Sequence, residues 1–216
     1  MFEVFLVTVA FVALAELGDK TQLLTMVLAA KASRISVILG VVGAILALQT
    51  LAVALGATVG SLIPGNIAGL ISGVLFLGFG AWTLLASGNH DDHGADKQLA
   101  KVTKWGPVVG IALIFFLAEL GDKTQLMTIS IAANPAAAID AMAAFGLRAT
   151  PTAQTGGLVT LSVWLGSTAG MLLVNGLALL AGTLLRERLS AKVISVVSGV
   201  AFIGFGVAVL VTTLVV

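Results

Sequence analysis

Glu16, Asp19 and Lys20, and again Glu119, Asp122 and Lys123, are ionisable side chains set within stretches otherwise built from Leu, Val, Ile, Ala and Phe. They belong to the string AELGDKTQL, which occurs at 15–23 and returns unchanged at 118–126. The spacing from Glu to Asp to Gln22 or Gln125 is i, i+3, i+6, so on a continuous helix the carboxylates and the amide would share one face. Lys20 and Lys123 follow each Glu at i+4, within reach of an ion pair. Thr21 and Thr124 add hydroxyls at the same level. Gly18 and Gly121, between the acids, permit close helix approach or a local unwinding that frees backbone carbonyls. Brought together, Glu16, Asp19, Glu119 and Asp122 would make an all-oxygen site with no thiolate and no nearby imidazole. Hard divalent cations such as Ca²⁺ and Mn²⁺ prefer that donor set; Zn²⁺ and Cu⁺ favour nitrogen or sulfur. Crowded carboxylates also compete for protons, so an arriving divalent ion would displace them. The two Lys are read as structural partners of the acids, since an ammonium cannot ligate a cation.

The elements that must hold these groups are apolar. The chain has 216 residues, of which 59% are hydrophobic and 10% charged, with a mean hydropathy of +1.14. Soluble domains carry about 25% charged residues. Long unbroken apolar runs point to an all-α membrane protein and exclude a transmembrane barrel, whose strands alternate over about ten residues. Six transmembrane helices are predicted near 3–30, 35–62, 66–86, 107–133, 158–185 and 193–216. Glu16 then lies midway between Glu3 and Ala30, about 20 Å from either end at the helical rise, and Glu119 is placed alike. Each such charge costs roughly 3 kcal/mol or more in the bilayer centre. Six of them would strain a fold whose net stability is about 5–15 kcal/mol unless they are paired, hydrated or bound. A buried Glu–Lys pair could account for one copy of the string, although such pairs rarely add stability. Two copies, both in mid-span, favour a binding site.

The repetition extends past the nine letters. SGVLFLGFG at 72–80 matches SGVAFIGFG at 198–206, and Gly40, Gln49 and Gly56 match Gly166, Asn175 and Gly182. The chain therefore divides into a first three-helix repeat (1–86), a linker (87–106) and a second three-helix repeat (107–216) with an insertion near 134–157. An odd number of spans per unit makes the second copy inverted, as in many secondary transporters. The insertion reads as a tolerated surface loop, with an interfacial helix as the alternative. Lys31, Arg34, Lys97, Lys101, Lys104, Arg186, Arg188 and Lys192 fall on one side and Arg148 alone on the other. The crowded side is expected to be cytoplasmic, with both termini outside and the first apolar stretch a permanent span.

Gln49 and Asn175 are read equally as an interhelical hydrogen bond or as amides supporting the site. Ser72 and Ser198, and the glycine patterns at 56–60 and 69–73, are expected to serve helix packing. Phe76, Phe79, Phe202 and Phe205 are read as core or lipid contacts. His90-Asp91-Asp92-His93 has metal-like letters but sits in a polar linker and is read as solvated, with weak metal collection as the minority reading. The absence of Cys removes disulfides and thiol chemistry, and no basic run with aromatics suggests nucleic acid.

Each copy of the string carries E-x-G-D-[KR]-[TS]: Glu16, Gly18, Asp19, Lys20 and Thr21, then Glu119, Gly121, Asp122, Lys123 and Thr124. In this the chain resembles the second family of calcium/cation antiporters, over nearly its whole length. The resemblance implies a Mn²⁺ or Ca²⁺/proton antiporter of the bacterial manganese-exporter type, in the cell (inner) membrane. It implies the four acids as cation ligands and no cofactor besides the transported ions; self-association is left open. The expectation is export of Mn²⁺, or Ca²⁺, against H⁺ by alternating access. The rival readings are a small-solute or amino-acid exporter of similar fold, a channel, and an intramembrane aspartyl protease. The last needs Gly-x-Gly-Asp, and Glu16 and Glu119 stand where the first Gly should be.

Overall fold

The structure is a computed structural model that describes residues 2–17, 24, 25, 28, 32–85, 106–144, 157–181 and 191–215. Among them all regular structure is helical: α1 (Phe2–Glu16), α2 (Arg34–Leu62), α3 (Gly65–Leu85), α4 (Pro107–Glu119), α5 (Lys123–Ala133), α6 (Pro135–Ala144), α7 (Gly157–Ala181) and α8 (Ala191–Val215). Three are long and apolar enough to cross a membrane: α2, α3 and the Gly157–Leu179 part of α7. Pro107–Glu119 and Gly199–Leu214 are shorter apolar helices. The helices are apolar on their outer faces as well as inside, with Trp82, Leu85, Leu117 and Leu173 among the exposed side chains. A helix hydrophobic all round belongs in lipid or a deep core.

Local chemistry sets the ends. Ser33 caps α2, its Oγ accepting from Ser36 N at 3.2 Å. Pro64 follows the end of α2, where it cannot continue the helix. Pro107 opens α4 at a position whose N–H would have no helical partner anyway. The predicted fourth span, 107–133, is one continuous path but two helices, separated at Leu120–Asp122.

Small residues let the helices approach, and their contacts fix direction. A Cβ on Gly40 would lie 2.7 Å from Ile111 Cγ2, and one on Gly60 would run into Ala133 O. Rising numbers on α2 thus meet rising numbers along α4 and α5, and the three run parallel. Likewise Gly166 abuts Phe5 and Thr8 while Gly170 abuts Val9 and Val12, so α7 runs parallel to α1. Gly69 meets Thr213 and Gly80 meets Gly199 and Ile203, so α3 and α8 are antiparallel. The glycine pattern at 56–60 is a packing surface within the chain, where its backbone touches α5. Phe76, Phe202 and Phe205 are core residues: Phe76 and Phe205 meet edge to face at 4.6 Å, and Phe11 lies 3.9 Å from Phe205.

The insertion departs from the surface-loop expectation. Its first part is α6, whose Ala137 and Ala138 are buried in the main core. Pro135 starts the helix, Asn134 Oδ1 accepts from Ala137 N at 3.2 Å, and Asn134 Nδ2 donates to Gly65 O at 2.9 Å. An alanine run has no bulk to hold it off its neighbours, so the segment packs down against α1 and α8. The rest of the insertion, the basic linker with His90–His93, and Arg148 lie outside the described residues.

Candidate cation site at a helix break

Gly121 has φ +80°, a left-handed conformation that only glycine adopts without strain. It ends α4 one residue after Leu120, whose N–H still bonds Phe116 O at 2.9 Å. Asp122 then caps α5, its Oδ1 accepting from Lys123 N at 2.7 Å. Gln125 ties the break down: Oε1 accepts from Gly121 N at 3.2 Å and Nε2 donates to Leu48 O of α2 at 3.3 Å. The single helical face expected for Glu119, Asp122 and Gln125 is therefore not formed. Glu119 ends one helix and Asp122 begins the next, because the positive φ at Gly121 turns the chain between them. What the break supplies instead is a half-helix N-terminus inside the bundle, with its positive dipole end.

Glu16 meets that terminus. It is fully buried at the last position of α1, equivalent to Glu119 at the last position of α4. Thr124, in the first turn of α5, donates its hydroxyl to Glu16 Oε2 at 3.2 Å. Asn175 of α7 donates Nδ2 to Glu16 Oε1 at 2.9 Å and to Met171 O at 3.1 Å. Thr25 Oγ1 donates to Asn175 Oδ1 at 3.2 Å, fixing the amide's orientation. An acid of the first AELGDKTQL copy is thus held by a threonine of the second copy and an amide of the fifth predicted span.

The other expected residues divide as follows. Glu119 is fully buried, as are Thr124 and Gln49, while Asp122 and Lys123 are half-buried. Gln49, the counterpart of Asn175, donates Nε2 to Met171 Sδ at 3.3 Å. Gly18, Asp19, Lys20, Thr21 and Gln22 lie outside the described residues. Among the described residues no three acidic or histidine side chains gather closely enough to hold a metal ion together. Met171 was not singled out by the sequence; it lies one helical turn before Asn175, which is the signal that could have found it.

Helices apolar on both sides of their core, and buried acids at a broken helix, define a multi-pass membrane transport protein. The family described as "Divalent cation/proton antiporter GDT1" matches residues 4–91 and 153–215, and the chain belongs to that family. The second copy of the string lies between the two matched segments. A protein of Vibrio cholerae described as "Putative manganese exporter" is 30% identical over 204 residues, covering 94% of this chain and 88% of that one. A GDT1-like protein of Synechocystis is 28% identical over 222 residues, covering 96% of each. GDT1-like protein 3 of Oryza sativa subsp. indica is 24% identical over 227 residues, covering 96% of this chain and 73% of that one. No solved structure matches. The chain is thus a divalent cation/proton antiporter and not an enzyme, and the small-solute and protease readings fall away.

Proposed function

We propose that the chain exports Mn²⁺ from the cytoplasm across the cell membrane in exchange for H⁺, by alternating access around a site that includes Glu16. The observation that carries the reading is the fully buried Glu16 carboxylate held by Thr124 and Asn175, which joins the two motif copies at one point. A divalent ion reaching Glu16, Asp19, Glu119 and Asp122 displaces protons they hold and leaves again when protons return from the other side. Thr124 and Asn175 hold Glu16, and Gln125 ties down the break at Gly121; Thr21, Gln22 and Gln49 are proposed as supporting polar groups, Lys20 and Lys123 as charge-balancing partners of the acids, and Gly18 as a hinge beside Gly121. Manganese is favoured over calcium by the Vibrio cholerae relative named for manganese export.

The architecture proposed is two inverted three-helix repeats, 1–86 and 107–216, joined by a cytoplasmic linker, with both termini outside. Its support is the matched geometry of the halves. Gly40 meets Val108 and Ile111 where Gly166 meets Phe5 and Thr8, and α3 pairs antiparallel with its counterpart α8. Both parallel pairs and the antiparallel pair follow from six spans of alternating direction.

The test is proton release from proteoliposomes on addition of Mn²⁺. Glu16→Gln keeps the shape but removes the charge and one of the two acceptor oxygens, and exchange should fall to the protein-free background. Exchange at the wild-type rate in a folded Glu16→Gln protein would remove Glu16 from the site.

A further inference from the structure

Resting on the site proposed around Glu16, we propose that Met171 Sδ, together with Gln49 Oε1 and Thr168 Oγ1, forms a neutral ligand group that selects a transition-metal ion over Ca²⁺. Buried polar atoms in proteins are nearly always hydrogen-bonded, so each exception asks for a cause. Gln49 is fully buried in mid-α2; its Nε2 has only the thioether of Met171, a weak acceptor, and its Oε1 has no hydrogen-bond partner among the described residues. Thr168 is 7% exposed, and its Oγ1 is likewise without a partner among the described residues.

The other buried threonines show why this is unusual. Thr8 and Thr128 turn their hydroxyls back onto Val4 O and Thr124 O of their own helices. Thr25 and Thr124 turn theirs away, toward Asn175 and Glu16. Among the described residues Thr168 does neither, which leaves its lone pairs open to a ligand.

Thr168, Met171 and Asn175 follow one another at i, i+3 and i+7 and so share one face of α7. Asn175 Nδ2 links the Met171 backbone to Glu16, and Met171 Sδ links to Gln49, so Met171 lies one helical turn from the carboxylate's partner. An amide oxygen, a hydroxyl and a thioether are all uncharged donors. The oxygens accept Mn²⁺ or Ca²⁺ alike; Mn²⁺ also prefers oxygen, but as a first-row transition ion, the weakest of that series, it tolerates one thioether beside them, whereas Ca²⁺ takes only oxygen. The first repeat has Val42 and Ile45 at the equivalent positions of α2, so this group is one-sided.

The experiment reads Mn²⁺-driven and Ca²⁺-driven proton release from proteoliposomes for wild type, Met171→Leu, Met171→Cys and Glu16→Gln. Leucine keeps the volume and is tolerated well in cores. The Mn²⁺-over-Ca²⁺ preference should fall about tenfold in Met171→Leu, chiefly through weaker Mn²⁺ half-saturation, and be largely kept in Met171→Cys, which retains sulfur. An unchanged preference in Met171→Leu, or equal losses in both Met171 variants, would overturn the proposal. Should Met171→Leu fail to fold, Thr168→Val supplies the second reading: weaker Mn²⁺ half-saturation supports the group, and no change refutes it. Full exchange by Glu16→Gln would instead overturn the underlying site, whatever Met171 does.

Discussion

A carboxylate with no exposure needs donors, and Glu16 draws them from both halves of the chain. Hydrogen bonds to a charged group contribute about 1.5–3 kcal/mol, and losing one in a buried site costs at least that. Of these two donors Asn175 is the nearer, at 2.9 Å against 3.2 Å for Thr124. Asn175→Leu, close in size, removes the donor to Glu16 and the acceptor for Thr25 together. It is expected to weaken Mn²⁺ half-saturation by about 10- to 100-fold in the liposome assay. Thr124→Val should cost less, since the N-terminus of α5 still faces the acid. A half-saturation in Asn175→Leu within about twofold of wild type would reduce Asn175 to a packing residue. That outcome would choose the interhelical-bond reading that sequence alone left level with the site reading.

The break between α4 and α5 is the element that places these groups, and it turns on one residue. A Cβ at Gly121 meets nothing within 4 Å, so the cost of replacing it is purely that of holding φ +80°. For alanine that is about 1–2 kcal/mol. Gly121→Ala should lower thermal stability in detergent accordingly and impair transport by tilting Asp122 and Gln125. Gly78→Ala is the control: its Cβ also meets nothing, it sits within α3, and alanine there should be neutral or stabilising by up to about 1 kcal/mol. Equal effects of the two would show that the turn is not under conformational demand. The sequence showed a glycine between two acids, and unwinding was one of its readings. It could not show the sign of φ, and so the one-face geometry for Glu119 and Asp122 did not survive. The starts at Arg34, Gly65 and Gly157 and the end at Leu62 were legible to within a residue of the predicted 35, 66, 158 and 62, because Pro64 and long apolar runs mark them. The burial of α6 was not, since alanine is neutral between surface and core. Met171 and Thr168 were invisible to a reading led by repetition, because the first repeat carries Ile45 and Val42 in their places.

At the scale of the whole molecule, transport requires paired helices that can part. The backbones of α2 and α5 come close at Gly56 and Gly60: a Cβ on Gly56 would lie 2.5 Å from Ile129 O, and one on Gly60 would run into Ala133 O. Both neighbours are backbone, so no side chain can swing aside. That contact lies two to three helical turns beyond Gln49 on α2. Gly60→Ala therefore penalises the closed packing and leaves untouched any state in which α2 and α5 have separated. A penalty acting on one of two states shifts the population by its full Boltzmann factor, about tenfold for 1.4 kcal/mol. Because the chain has no Cys, a single Ala132→Cys reports on this interface without background; Ala132 is 8% exposed, facing Gly56. Maleimide labelling of Cys at that position should rise about tenfold when Gly60→Ala is added, and Mn²⁺/H⁺ exchange should slow because the return to the closed packing is impeded. Labelling that is the same with and without Gly60→Ala, in proteins of equal thermal stability, would mean that α2 and α5 stay together throughout the cycle and that access alternates elsewhere in the bundle.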